Sequence, residues 1–70
     1  MRFTYSDYVT VRSDAPIKFR PGTQGSIIAV FEDRESLPFP DFPAGTVYMI
    51  EFEGGDAIDI HESMLEEFEA

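Results

Sequence analysis

The sequence predicts an all-β fold: five short strands in one small barrel domain over residues 1–70, with a single 3₁₀ or α turn near the C-terminus. Two observations predict it. Apolar residues recur with period two, as Phe3, Tyr5, Val9 and Val11, as Tyr48, Ile50 and Phe52, and as Ile58 and Ile60. That spacing places them on one face of a pleated strand. Between these runs stand Pro21-Gly22, Gly25 and Gly54-Gly55, the proline and glycine signals that punctuate a chain at turns.

The first strand is expected over Asp7 to Arg12, with the residues before it as a leader that packs Phe3 or Tyr5 over one end of the barrel. Ser13-Asp14-Ala15-Pro16 ends it. Ile17 and Phe19 then lie in a long connection with no predicted helix, where they plug one end of the core. Pro21 presets its own φ and glycine accepts φ > 0, so the turn at Pro21-Gly22 leads into a second strand, Ser26 to Phe31. In that strand Ile28 and Val30 alternate with the small Ala29, a core pattern.

Glu32 to Ser36 reads as a polar turn, followed by Leu37-Pro38-Phe39-Pro40-Asp41-Phe42-Pro43-Ala44-Gly45. Its prolines remove backbone donors and rule out a central strand or a helix, which leaves an extended loop. Leu37, Phe39 and Phe42 are large apolar groups in that loop, so they either pack back on the fold or await a partner.

The third strand, Thr46 to Phe52, puts Tyr48, Ile50 and Phe52 on one face and Val47, Met49 and Glu51 on the other. The fourth carries Ile58 and Ile60 inward, with Asp59 between them. A two-residue Gly54-Gly55 turn would bring Asp59 to the core face, so the pattern favours a three-residue loop, Gly54-Gly55-Asp56. Phe52 then faces Ile58, Ile50 faces Ile60, and Glu51 faces Asp59 on the outer surface, with Glu53 and His61 nearby. In the tail, Met64, Leu65 and Phe68 fit one helical turn at Glu62 to Leu65, followed by a short closing strand.

This order of signals resembles the small bacterial SH3-like barrels, in particular an uncharacterised family with a Gly-x-x-Gly-x-Val/Ile-Val/Ile-x-Val core and a Tyr-x-Val/Ile-Glu-Phe strand. The residues that carry it are Gly22-Thr23-Gln24-Gly25-Ser26-Ile27-Ile28-Ala29-Val30 and Tyr48-Met49-Ile50-Glu51-Phe52. The resemblance covers residues 7 to 69 and implies a five-stranded SH3-like barrel. It implies no activity, although some similar barrels look like parts of toxin and immunity or other accessory systems. The loop at 37 to 45 is longer than such a hairpin usually is, and the tail is unusually acidic.

Charge divides the chain in two. Residues 1–34 hold all five cations, Arg2, Arg12, Lys18, Arg20 and Arg34, against four acids; residues 35–70 hold ten acids and neither Lys nor Arg. A surface of one sign repels phosphates and anionic membranes and speeds encounter with basic partners. Tyr5, Tyr8, Phe19, Lys18 and Arg20 are a minimal set of stacking aromatics among cations, but five cations do not make a phosphate track, which argues against nucleic acid. The N-terminal residues contain no apolar run, so they predict neither a signal peptide nor a membrane span, and the expected location is cytoplasmic.

Catalysis lacks parts. The chain has no cysteine, and its one histidine, His61, reads as a surface residue at a strand end with Ser63 near it only in sequence. Glu51, Glu53, Asp59 and His61 offer ligands for a hard cation, but without an EF-hand spacing, so neither metal nor cofactor is expected. The sequence therefore points to a non-catalytic protein-binding module. Its candidate contacts are Leu37, Phe39 and Phe42 in the loop and Glu51, Glu53, Asp59, Glu62 and Glu66 in the acidic half. The first set suits an apolar partner or a second copy of the chain; the second suits a basic protein, whose site the chain would cover as an inhibitor, immunity factor or nucleic-acid mimic.

Overall fold

A computed structural model describes residues 3–32, 42 and 44–68. Five strands, β1 (Tyr8–Val11), β2 (Gln24–Phe31), β3 (Val47–Phe52), β4 (Ala57–His61) and β5 (Leu65–Glu67), form one antiparallel sheet in the order β4-β3-β2-β1-β5. The fold is all-β, as the alternation predicts. Among the described residues no helix is long and apolar enough to cross a membrane.

The two edge strands of this sheet are joined by three residues. A flat sheet of five strands would hold its edges about 19 Å apart, whereas the 3₁₀ turn Glu62–Met64 between β4 and β5 advances only about 6 Å. The sheet must therefore roll up. One inner face results, and the seven largest fully buried side chains lie on it: Val9 and Val11 of β1, Ile27 of β2, Tyr48 and Ile50 of β3, Ile60 of β4 and Leu65 of β5. Each contributes about 1.5–3 kcal/mol through the apolar surface it removes from water.

Two features of β2 make the curvature possible. Ile27 pairs with Ile50 but Ala29 pairs with Met49, so Ile28 is an extra residue, a β-bulge, and alternation resumes one position late with Val30 opposite Tyr48. This corrects the sequence-based placement of Ile28: Ile27 is the core residue and Ile28 is only half-buried. Gly25 is the second feature. It sits opposite Phe52, and a Cβ there would come 2.6 Å from Ile50 Cγ2 and 2.7 Å from the Glu51 carbonyl oxygen. Only a residue without a side chain lets β3 cross β2 this closely.

The β3–β4 hairpin also departs from expectation. Ile50 faces Ile58, Tyr48 faces Ile60, Glu51 faces Ala57 and Met49 faces Asp59. The loop is three residues long, as expected, but consists of Glu53-Gly54-Gly55: the Phe52 amide donates to the Asp56 carbonyl, and that of Gly55 to the Phe52 carbonyl. The shift of two residues keeps Ile58 and Ile60 on the inner face. Gly54 and Gly55 both have φ near +100°, so placing both inside the loop puts each positive φ where no ladder constrains it.

The ends of the core are closed by short segments. Phe3, not Tyr5, packs over one end: its ring meets Tyr48 edge-on at 5.6 Å, and its amide donates to the buried Tyr48 hydroxyl at 3.0 Å. Tyr5 lies exposed in the turn between Thr4 and Asp7. The long connection does contain a single 3₁₀ turn, Ile17–Phe19, opened by Pro16, whose carbonyl accepts the Phe19 amide. It buries Phe19 and turns Ile17 out to 87% exposure, so only one of the two expected plugs is used. The turn near the C-terminus, Glu62–Met64, and the short strand after it are as the tail predicts.

The tight crossing at Gly25 sets an expected cost. Gly25→Ala should lower the free energy of unfolding by about 2 kcal/mol or more, as overpacking against backbone does, while Gln24→Ala beside it stays within about 0.5 kcal/mol. Urea denaturation followed by tyrosine fluorescence measures both, and an unchanged midpoint for the glycine variant would contradict the crossing.

Candidate functional site

Strand pairing places a row of residues on the outer face where β1 meets β2. Tyr8 pairs with Ser26 and Thr10 with Gln24 on one side, and Thr10 pairs with Glu66 of β5 on the other. Tyr8 is 52% exposed, and its ring meets that of Phe68 edge to face at 4.8 Å, just beyond β5. Beside Tyr8 opens a groove of about 370 Å³, lined also by Arg20, Gly22, Thr23, Gln24, Phe52 and Glu53.

The wall opposite Tyr8 is set by the turn at Pro21-Gly22. Arg20 ends the 3₁₀ turn in the left-handed region at φ 60°, and Gly22 follows at φ 85°. A non-glycine residue there is strained. Its compensation is visible: the Arg20 amide donates to the Ile17 carbonyl, and the Arg20 carbonyl accepts from both the amide and the hydroxyl of Thr23. The guanidinium is thereby held 5.4 Å from the centre of the Phe52 ring, with Nη2 2.7 Å from Asp56 Oδ2.

The acidic residues singled out in the sequence do not form one cluster. Glu51 lies exposed on the outer face between Ser26 and Ala57, Glu53 lines the groove, and Glu66 is exposed beside Thr10. Glu51 and Glu66 share the outer face with Tyr8, and Glu53, in the β3–β4 loop, shares the groove with it. Glu62 has a structural task instead, because its Oε2 accepts the Thr46 amide while its own amide donates to the Thr46 carbonyl. Asp59 is half-buried opposite Met49, and its Oδ1 is sealed from solvent with no hydrogen-bond partner. Burial pushes the Asp59 carboxyl up from its ordinary pKa.

Phe42 packs back. Its ring lies 5.8 Å from Phe19 and 6.1 Å from His61, against the edge of the core. Leu37 and Phe39, the other two aromatic-loop candidates, lie outside the described residues. His61 is 4% exposed, which corrects its reading as a surface residue. Nε2 lies 3.0 Å from the Ala44 carbonyl, which can only accept, and Nδ1 lies 3.1 Å from the Ser63 amide, which can only donate. These contacts suit a tautomer with the proton on Nε2 and Nδ1 as the acceptor. Ser63 Oγ is 2.9 Å from Nδ1, yet that nitrogen's lone pair already caps the 3₁₀ turn. Among the described residues no three His, Cys, Asp or Glu side chains gather to hold a metal ion.

The groove joins residues the sequence reading kept apart. Tyr8 and Arg20 read from sequence as a stacking and a basic residue and Phe52 as core, yet all three line it, and Phe68 of the tail packs on Tyr8 at its edge. What unites them is register, which no single segment displays. Phe52 reaches the groove because Gly25 opposite it has no side chain. The chain matches no protein-family model, no curated protein and no solved structure.

Asp59 offers a test by pH. A folded-state pKa above the unfolded one means that the protonated form contributes stability, which is fully present below the unfolded pKa and lost as pH rises through the folded pKa. Asp59→Asn should therefore stabilise the protein at neutral pH, on the order of 1 kcal/mol for a buried oxygen without a partner. The gain should shrink toward pH 4. Thermal unfolding across that range reads it, and an equal effect at both ends would remove Asp59 ionisation as the cause.

Proposed function

We propose that this rolled sheet is a small SH3-like barrel that serves as a non-catalytic protein-binding module, taking a basic segment of a partner on the outer face around Tyr8. The observation that carries this reading is the open groove beside an exposed aromatic side chain, with Glu53 in its lining and Glu51 and Glu66 on the same sheet face as that side chain. Among the described residues the two ion pairs are Arg12 with Asp14 and Arg20 with Asp56, so none of those three carboxylates is in a contact ion pair with a described cation, although Glu66 acts on Arg12 at longer range. A cation from outside can pair with them.

The geometry supports binding better than catalysis. The lone histidine is buried and its nitrogens are engaged by Ala44 and Ser63, so it is not presented to a substrate. Binding through the aromatic loop has less support, since Phe42, its described apolar member, is committed to Phe19 and His61. A module of this kind would act by covering a basic site on another protein, as an inhibitor or immunity factor does.

A lysine nonapeptide titrated into the protein by calorimetry tests the charge term. The apparent affinity should fall by about tenfold or more between about 50 mM and 300 mM salt, because exposed charges are screened over that range. Replacing Glu51, Glu53 and Glu66 together with Gln should weaken low-salt binding by a similar factor. Binding indifferent to salt and to the triple replacement would refute the reading.

A further inference from the structure

The groove already contains one complete guanidinium site, filled from within. Arg20 lies over the Phe52 ring at 5.4 Å and pairs with Asp56 at 2.7 Å, which combines a flat cation, an aromatic face and a carboxylate. Beside it, Tyr8 and Glu53 line the same groove as a second aromatic and a second carboxylate. Among the described residues no cation of the chain lies at either of them.

We propose that this second half-site binds an arginine side chain of the partner, stacked on Tyr8 and paired with Glu53. The inference rests on the basic-partner reading above and gives it a specific ligand. Arginine fits better than lysine for three reasons. Its planar guanidinium stacks on an aromatic face, it can bind a carboxylate through two donors, and it is more weakly hydrated than an ammonium group. One further acceptor stands ready: Gln24 turns its Nε2 toward the Gly22 carbonyl at 3.4 Å, which leaves its side-chain oxygen for a guanidinium donor. Thr23 does not compete, because its hydroxyl is given to the Arg20 carbonyl at 2.7 Å.

Arg20 does not repel the incoming cation as a bare charge would, because Asp56 neutralises it at contact distance. Phe68 acts as a positioning residue: its perpendicular contact at 4.8 Å restrains the Tyr8 ring on the edge of the groove. An anion is the poorer occupant. The groove's one cation is already paired, and Glu53 would oppose it.

The test compares an arginine nonapeptide with a lysine nonapeptide of equal charge, titrated into wild type, Tyr8→Leu, Tyr8→Phe and Glu53→Gln at low salt. The expected result is arginine binding about fivefold tighter than lysine in wild type and in Tyr8→Phe, since ring stacking survives loss of the hydroxyl. Tyr8→Leu should reduce the arginine peptide to the lysine level and leave the lysine peptide unchanged, an effect general destabilisation would not produce. Glu53→Gln should also narrow the preference, which decides the matter if Tyr8→Leu does not fold. Equal affinity of the two peptides for wild type, or a preference that persists in both Tyr8→Leu and Glu53→Gln, overturns the arginine site and leaves the basic-partner reading standing. No binding of either peptide overturns both.

Discussion

The covalent link between β4 and β5 is the constraint on which the rest of the structure depends. These strands are the opposite edges of the sheet, yet three residues connect them, and the Arg12 amide donates to the carbonyl of Met64, the last residue of the turn. A sheet so tied has a small concave face and a larger convex one. The fully buried filling of the concave face is a single side chain each from β2, β4 and β5 and pairs from β1 and β3, with Phe52, Ile58 and Val30 packed around them, and one bulge and one glycine crossing shape it. The convex face has no such filling. In a chain of this length it has to meet solvent or a partner over most of its area.

Where the chain does cover the convex side, it uses polar residues as fasteners. The row Phe31, Val47 and His61 runs across three strands, and Val47 and His61 are buried there. His61 does two jobs at this corner, capping the Glu62–Met64 turn through Nδ1 and holding the Ala44 carbonyl through Nε2. Glu62 and Thr46 add a reciprocal pair of hydrogen bonds in the same place. The residues that tie the sheet edges together thus also anchor the segment leading into β3. Asp59, one row away, has no such partner for its Oδ1, and it is the described side chain on which burial is not compensated.

Much of this fold was legible, because period-two alternation states directly which side of a strand is wet. Tyr48, Ile50, Phe52, Ile58 and Ile60 were assigned to the inner face correctly, and the terminal turn and strand fell where the tail placed them. Ile28 was misplaced because a bulge leaves no compositional mark: Ser26-Ile27-Ile28-Ala29-Val30 alternates plausibly in either phase. The hairpin erred by two residues for a related reason, since parity of side chains is preserved under that shift and both registers bury the isoleucines. His61 defeated inference outright. Its burial depends on Ala44 and Ser63, one of them 17 residues away, and nothing in a lone histidine announces such partners. The groove was invisible for the same reason, as it is assembled from β1, the start of β2, β3 and two turns that meet only after the sheet has rolled.

The distribution of charge then separates folding from function. Arg12 and Arg20 are each matched to an acid, Asp14 and Asp56, so among the described residues these cations are used internally. Pairing with Arg12 draws the exposed Asp14 carboxyl below its usual range, a sign of local accommodation rather than of a site. Among the described residues Glu51, Glu53 and Glu66 form no contact ion pair. Solubility by itself accounts for them, because an acidic surface keeps a small domain dispersed. Solubility does not account for Tyr8 and Phe68 in their midst, since an exposed aromatic pair works against it. Core packing explains neither, because both rings stand on the convex face. The proposed capture of an organic cation would account for an exposed aromatic pair close to acidic side chains, and the backbone at Arg20, held at φ 60°, shapes the wall of the groove that such a cation would meet.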